Sequence, residues 1–246
     1  MAIAIDPSSP PITAIGDSAR TTAAFSPPDE TILVALAATQ YSFGGYTISN
    51  SGSALTWTKV VDRFADGNPA GGVTIWVAKN ATARTNMTVT TTSEGGSVGQ
   101  VLKVFVVTGA DMDNWIGNTG SGGATTSSLT VNSAYTSSAA GSRGFFIGND
   151  WNAAGAPTVG LGDTGYTYHS TDTLSGAVVH KATNTAAAGT VVGFSLTASG
   201  TREWNWGAVE ILPGPDHPRL NVSRPVGAVH RSEEHTSELQ SLRHLV

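Results

Sequence analysis

The sequence predicts an all-β protein, an antiparallel two-sheet β-sandwich of jelly-roll type with about twelve strands. The first observation behind this prediction is that Leu and Glu, which favour helices, are scarce. The second is that β-branched residues and glycine are abundant. The third is that turn residues recur roughly every 8–15 positions, a spacing typical of the short strands of sandwiches and barrels.

The first half of the chain begins with a segment rich in Pro and Ser, residues 1–19, which predicts an N-terminal arm. The run TILVALAA at 31–38 is apolar on both faces, so it predicts a central strand that is covered on both sides. The run VGQVLKVFVVT at 98–108 predicts the longest strand, which we also expect to be central. The other strands predicted here are 20–25, 54–64, 73–79 and 87–92, with a Gly/Ser loop at 41–53 and a turn at 66–69.

The second half opens with residues 111–128, whose Gly, Ser and Thr content predicts a long loop. Apolar strands continue from residue 31 to residue 212 without a break in composition, so we expect one sandwich domain over 20–212. The strands predicted after the loop are 129–132, 144–148, 166–169, 177–181, 190–196 and 203–212.

Two C-terminal segments lack strand periodicity. Residues 213–230 are rich in Pro and predict a linker. Residues 231–246 (RSEEHTSELQSLRHLV) resemble the in-frame translation of a sequencing adapter, and such scars take no part in a fold. We expect residues 231–246 to make no packed contacts with the sandwich. We also expect that the natural protein continues differently after residue 230, so that its own C-terminus is missing from this sequence.

Composition narrows the classes of partner. Only 13% of the residues are charged and the formal net charge is −5, whereas non-specific nucleic-acid binding needs a basic face. The chain has no cysteine, so its fold does not depend on disulfides. No segment reaches the ~20 apolar residues of a membrane span. The N-terminus lacks the basic and apolar regions of a secretory signal, which favours release by host lysis or a start further upstream.

Carboxylates are the first candidates for chemistry. A glycosidase needs two of them on one cleft, and the pairs Asp62/Glu210 and Glu203/Asp150 would have to meet that condition; turn-capping and rim positions are the simpler interpretation. Asp111 and Asp113 open the predicted loop with oxygen ligands spaced as in calcium sites, but the Gly and Glu of an EF-hand loop are missing. A calcium site at Asp111 and Asp113 is one expectation, and an Asx-turn is the other.

Histidines and nucleophile motifs give weaker signals. His169 and His180 both fall in predicted strands, where they would either bind a metal with Asp163 or Asp172 or simply be half-buried strand residues. Residues 119–123 (TGSGG) only partly resemble the G-x-S-x-G motif and lack its strand–turn–helix context. We therefore predict no catalytic residue.

Tryptophan is the more informative residue type, with six in the chain. Indole rings either anchor the core of a sandwich or, when exposed, stack on the apolar face of a sugar ring. Trp115, within the predicted loop 111–128, and Trp151, at the end of a predicted strand, are the predicted ligand-binding platform. Trp57 is expected in the core, and Trp204 and Trp206 are expected on one face of a single strand because they are two residues apart.

Five stretches occur together in a familiar order: ALTWTKVVDR (54–63), GGVTIWVAKN (71–80), VLKVFVVTGAD (101–111), GFFIGNDWN (144–152) and WNWGAVEI (204–211). Together they resemble a family of uncharacterised β-sandwich proteins. Members occur among bacteriophage structural and tail-associated proteins, and as modules of secreted bacterial proteins. The resemblance covers about residues 20–212, carries no catalytic motif and implies a non-enzymatic surface role.

Three functions follow as hypotheses. The first is a bacteriophage virion structural protein of minor tail or tail-decoration type, with other virion proteins, its own copies and host-surface glycans as partners. The alternative is a carbohydrate-binding or adhesion module of a secreted bacterial protein, located outside the cell instead of in the virion. The third is a glycan-cleaving enzyme. Apart from calcium, we expect no cofactor, and we expect neither a nucleic-acid partner nor a membrane span.

Overall fold

The computed structural model describes residues 2–17, 19–40, 46–64, 71–94, 99–151, 155–171 and 174–215 and, for residues 199–202, the backbone only. The fourteen elements of these residues are all β-strands and all their pairings are antiparallel, which confirms the predicted all-β class. A helix capable of spanning a membrane is not found among them. The strands are β1 (Ala4–Ile5), β2 (Arg20–Thr21), β3 (Thr31–Thr39), β4 (Tyr46–Asn50), β5 (Trp57–Phe64), β6 (Gly72–Asn80), β7 (Val89–Ser93), β8 (Gln100–Thr108), β9 (Ile116–Thr136), β10 (Arg143–Asp150), β11 (Thr158–Val159), β12 (Asp163–Ser170), β13 (Leu174–Lys181) and β14 (Val191–Ile211).

Residues 1–216 form one compact unit. The last strand ends at Ile211, one residue before the predicted end. Residues 216–246 lie outside the described residues, and with them most of the predicted linker and the whole of 231–246.

The first half of the chain forms a five-stranded sheet in the order β1-β8-β3-β6-β5. Every residue of β3 is buried, as expected for a strand that is apolar on both faces. Its neighbours β6 and β8 are buried almost throughout for the same reason. The sequence therefore predicted the middle of this sheet correctly.

The second half forms a six-stranded sheet in the order β11-β14-β10-β13-β12, with β9 paired to β14. One face of this sheet packs on the five-stranded sheet and closes a core that includes Val34, Ile75, Phe105, Phe145 and Val178. Because both sheets bury their facing side chains here, this core joins the two halves of the chain.

Two further layers lie outside these sheets. A three-stranded sheet, β2-β7-β4, covers the outer face of the five-stranded sheet around Leu33, Trp76 and Val104. On the other side, β9 and the first part of β14 enclose a third core around Phe146 and Phe194, whose rings stack at 4.7 Å. The described residues thus have three cores and three sheets. A two-sheet jelly roll of about twelve strands is not confirmed.

The predicted loop at 111–128 is wrong from residue 116 onward, because 116–128 belong to the 21-residue strand β9. Its glycines allow close packing that side chains would prevent. A Cβ on Gly120 would lie 1.8 Å from the carbonyl oxygen of Ala134, and a Cβ on Gly122 would lie 2.9 Å from the Trp206 ring. Small residues that predict a loop in isolation are here required by a tightly packed strand. The predicted loop 41–53 likewise contains β4.

The N-terminal arm runs along the outer edge of β8. Ala4 and Ile5 pair with Thr108 and Val107, and the Thr13 backbone N–H donates to the carbonyl of Leu102 at 2.9 Å. The Lys103 ammonium donates to the carbonyl of Pro10. The arm therefore covers the edge of the five-stranded sheet.

Candidate functional site

Trp115 lies directly before β9, where its carbonyl accepts the backbone N–H of Leu212 at 3.0 Å. The half-buried ring packs against the core between the five- and six-stranded sheets. Its Nε1 is buried, and no described residue accepts a hydrogen bond from it. The polar edge of the indole is therefore turned into the protein, and it is the packing against the core that holds the ring.

Lys79, near the end of β6, extends toward this ring. Its Nζ lies 5.7 Å from the centroid of the Trp115 ring, within cation–π range. The same Nζ lies 3.6 Å from Asp113 Oδ1, but the Asp113 side chain is 98% exposed, so water screens this pair. Lys79 therefore keeps most of its charge available at the surface.

Arg84 is the second cation near Trp115, and two hydrogen bonds orient it. Its Nε donates to Asn80 Oδ1 at 2.7 Å, and its Nη1 donates to the carbonyl of Ser53. Asn80 is itself fully buried and donates to the carbonyl of Pro28. Nη2 of Arg84 makes no hydrogen bond or ion pair with any described residue. A pre-oriented guanidinium with free donors suits an anionic or polar ligand.

These side chains line one groove, which we call the Trp115 groove. Its volume is about 470 Å³, within the range of small-ligand sites. An adjoining groove of about 480 Å³ continues past Arg84 and Thr82, which line both. The residues of the Trp115 groove that carry its chemistry are Leu55, Thr56, Thr58, Lys79, Arg84 and Trp115.

Trp151 lies at the opposite end of the sheets. Trp151 follows the last residue of β10. The first residue of β10, Arg143, pairs with Ile211, and Ile211 also pairs with Ile116, the neighbour of Trp115. Trp115 therefore lies near the start of β10. The eight residue-to-residue steps from Arg143 to Trp151 span about 26 Å. The structure therefore does not bring Trp115 and Trp151 together into one platform.

At the Trp151 end, the indole Nε1 donates to Glu203 Oε2 at 3.2 Å, and Asp150 Oδ1 accepts the backbone N–H of Glu203 at 3.3 Å. Glu203 and Asp150 are thus neighbours on paired strands, as one predicted carboxylate pair required. Asp150, however, is only 1% exposed, so a substrate has no access to it.

Sequence reasoning missed a polar clamp beneath Trp151. Asn149 Nδ2 donates to the carbonyl of Thr39 at 3.0 Å, and Asn205 Nδ2 donates to that of Gly71 at 3.0 Å. The Tyr168 hydroxyl donates to Asn149 Oδ1 at 3.1 Å, and burial raises the pKa of Tyr168 well above its usual value. These amides join the two large sheets, a role that only the pairing of distant strands reveals.

Glu210, the partner suggested for Asp62, is fully buried. Its Oε2 accepts the backbone N–H of Asn118 at 2.9 Å, and its Oε1 accepts the Ser137 hydroxyl at 3.0 Å. Burial alone would raise the pKa of Glu210, but its hydrogen bonds, which include those from Ser138, outweigh burial and lower it. Asp62 accepts from Lys59 at 2.9 Å and from Thr74 at 3.0 Å, so both members of this pair are already occupied.

Asp111 forms the Asx-turn that was one of the two expectations. Its Oδ1 accepts the backbone N–H groups of Asp113 and Asn114 at 2.8 and 3.1 Å. Within the described ranges, no three His, Cys, Asp or Glu residues cluster in a way that would hold a metal ion. A calcium site at Asp111 and Asp113 remains a prediction.

The two histidines do not face each other. His180 pairs with Thr164 and His169 pairs with Ser175, so they lie at opposite ends of the β12–β13 ladder. His180 is buried with its ring 5.3 Å from Phe105, and burial lowers its pKa. Asp163 pairs with Lys181 at 2.8 Å, and Asp172 lies outside the described residues.

The other tryptophans are structural. Trp76 and Trp204 are buried, and Trp206 is half-buried on the same core as Trp204, as predicted for residues two apart in a strand. Trp57 is half-buried at the edge of the core beneath the three-stranded sheet.

Comparison with protein-family models, with curated proteins and with solved structures found no match for this chain.

Proposed function

We propose that this chain is a non-enzymatic structural protein of a bacteriophage virion, of minor tail or tail-decoration type. It would act by assembling with its own copies and with other virion proteins, and it would contact host-surface glycans. The family resemblance supports the context, and the long unprotected edge of β9 supports assembly.

Two other long edges of the described sheets, those of β8 and β5, are protected against pairing. The N-terminal arm covers β8, and Gln100 and Gly16 exchange backbone hydrogen bonds there at 2.9 and 3.2 Å. The edge strand β5 carries Lys59, Asp62 and Arg63 and has a register shift between Lys59 and Val61. Charges and bulges are devices by which proteins keep edge strands from pairing.

The edge of β9 has neither device over residues 119–126. These residues pair without interruption with 202–209 of β14, and within the described part of the chain β14 is their only strand partner. Not one of the 21 residues of β9 is charged or proline. We propose that the backbone N–H and C=O groups of these residues that point away from β14 pair with an added strand, beside Arg63 of β5, whose Nη2 would lie 3.7 Å from a Cβ on Gly123.

We assign this edge to a second copy of the chain. In a symmetric antiparallel pair, the same segment of both copies forms the contact. A segment with charges of one sign would therefore repel its copy, whereas this neutral segment does not. With the two-fold axis at Gly122, Thr119 of one copy lies opposite Thr125 of the other. Both side chains are exposed, and cross-strand Thr pairs are favourable.

Light scattering over a series of protein concentrations tests this assignment. We expect the wild type to change from one to two copies as concentration rises and Ser121→Lys to remain a single copy, because the variant places a charge in the middle of the edge. Thr183→Lys adds the same charge in the turn after β13 and should assemble like the wild type. A wild type that stays a single copy at every concentration would refute assembly through β9.

The virion context has its own test, which is the set of genes beside this one. We expect neighbours that encode tail, capsid or packaging proteins. Neighbours that encode none of these would overturn the proposed context without affecting assembly.

The alternative function is a carbohydrate-binding or adhesion module of a secreted bacterial protein. The Trp115 groove favours it, since it combines an anchored indole with polar and charged side chains. Secretion-system or glycan-utilisation genes beside this one would favour this alternative.

The non-enzymatic part of the proposal is supported by the carboxylates. Those of Glu210 and Asp62 are occupied by hydrogen bonds, and Asp150 is buried. A reducing-sugar assay on a range of polysaccharides should show no release of sugar ends, and steady release by the wild type would reinstate the enzyme hypothesis.

A further inference from the structure

We infer that the Trp115 groove binds a glycan bearing an anionic group, with the sugar ring on Trp115 and the anion between Lys79 and Arg84. This inference rests on the glycan contact proposed above and adds the chemical class of the ligand. Nothing in the sequence singled out Lys79 or Arg84.

The part of the Trp115 ring that lines the groove offers an apolar surface to a sugar ring, and the Lys79 ammonium lies beside that surface, 5.7 Å from the ring centroid. The Trp115 ring packs against the core between the five- and six-stranded sheets, and its main chain is bonded to Leu212, so the ring is held before any ligand arrives. A pre-positioned aromatic side chain costs little conformational entropy on binding. The methyl-bearing side chains of Thr56 and Thr58 and the apolar Leu55 complete this part of the groove.

The charge of the groove is positive. Lys79 and Arg84 line it, and Asp113 is the one described carboxylate that pairs with either of them. That pair is long at 3.6 Å and lies in water, so it offsets little of the charge. A neutral sugar would leave both cations unmatched, whereas a carboxylate or phosphate would accept from Arg84 Nη2.

The position of Arg84 also indicates a chain and not a single sugar. Arg84 and Thr82 line both the Trp115 groove and the adjoining groove along Ser51–Ser53 and Thr85–Met87. Because the two grooves share Arg84 and Thr82, we infer that one ligand extends from one groove into the other past the guanidinium. A polymer would lie along this path with an acidic group at Arg84.

Calorimetric titration with matched oligosaccharides tests the inference. The probes are an oligogalacturonate, its fully methyl-esterified form and a phosphorylated oligomannose; the first two differ only in the methyl ester that removes each negative charge. We expect one or both acidic probes to bind at least tenfold more tightly than the neutral ester. The stronger acidic probe tells a carboxylated ligand from a phosphorylated one, and its affinity should fall as salt rises.

Variants locate the binding. Trp115→Ala and Lys79→Gln should each weaken binding of the acidic probe at least tenfold, and Arg84→Gln should do the same with an unchanged unfolding curve. Two control variants should bind the acidic probe like the wild type. Lys59→Gln removes a positive charge from the opposite face of β5. Trp151→Ala removes the indole at the other end of the sheets. The Lys79 ammonium donates no hydrogen bond to any described residue, so Lys79→Gln keeps the test valid if Arg84→Gln unfolds.

Two results would overturn the inference. Equal binding of the acidic and esterified probes would refute the charge preference and leave the glycan contact intact. Absence of binding to all three probes would refute both the charge preference and the proposed glycan contact. Assembly through β9 would not be affected, because it has a separate test.

Discussion

Lys103 gives the most quantitative prediction. It lies in the core between the two large sheets and is 2% exposed. Its Nζ lies 4.3 Å from the Tyr166 ring and 5.0 Å from the Phe105 ring, and it donates to the carbonyl of Pro10. A lysine ammonium this deep is stabilised by these contacts but loses its hydration.

Burial lowers the pKa of Lys103 from 10.5 to about 8. Between these values the unfolded chain holds a proton that the folded chain has released, so the free energy of unfolding rises with pH across this range. The difference corresponds to about 3 kcal/mol, reached near pH 10.5. The variant Lys103→Met keeps a similar volume and lacks this titration.

Urea unfolding of both proteins from pH 7 to pH 10.5 measures the effect. We expect the wild type to gain about 3 kcal/mol relative to Lys103→Met over this range, with most of the gain above pH 8. Buried tyrosines with raised pKa values also affect stability at high pH, but both proteins share them, so their effect cancels in the difference. A difference that is constant with pH would refute this account of Lys103.

Three further predictions concern buried contacts. Gly120→Ala places a Cβ 1.8 Å from the carbonyl oxygen of Ala134 and should cost about 1–3 kcal/mol in urea unfolding; an unchanged midpoint would contradict the tight packing of β9. Glu210 has a lowered pKa, so its stabilisation is present above its ordinary pKa of 4.5 and is lost as pH falls through the folded-state value. Glu210→Gln should therefore be less stable at pH 7 and depend less on acid, and parallel unfolding profiles of the two proteins from pH 7 to pH 3 would argue against this. Asn149→Ala leaves the carbonyl of Thr39 without its side-chain donor and should cost about 1–3 kcal/mol in thermal or urea unfolding, with no loss contradicting a clamp between the sheets.

The sequence predicted the strands whose own residues determine their environment. The run at 31–38 is apolar on both faces, and β3 is buried on both faces. Trp204 and Trp206 share a face because side chains alternate along a strand, whatever the rest of the fold. Such features depend on local pattern alone.

Features that depend on distant contacts could not be predicted. The segment TGSGGATT at 119–126 has loop composition, and it is a strand because β14 pairs with it and its glycines admit Ala134 and Trp206. Lys103 left a readable signal, since it is a lone charge within the apolar run VLKVFVV. Its partner, the carbonyl of Pro10, left none.

The sequence selected Trp115 and Trp151 as one platform, but the structure places them at opposite ends of the sheets. Trp115 is half-buried directly before β9, in a segment that the sequence predicted to be a loop, and its part in ligand binding stays a prediction. Lys79 belongs to β6 and Arg84 to the segment after β6, and both line the groove beside Trp115. No spacing in the sequence relates either residue to Trp115.

Amide hydrogen exchange of residues 119–126 at low and high protein concentration tests the central claim, assembly through β9, most directly. We predict that the amides of this segment that point away from β14 exchange quickly in dilute solution and become protected at high concentration, while those of β5 do not change. Equal exchange of these amides at both concentrations would contradict the claim.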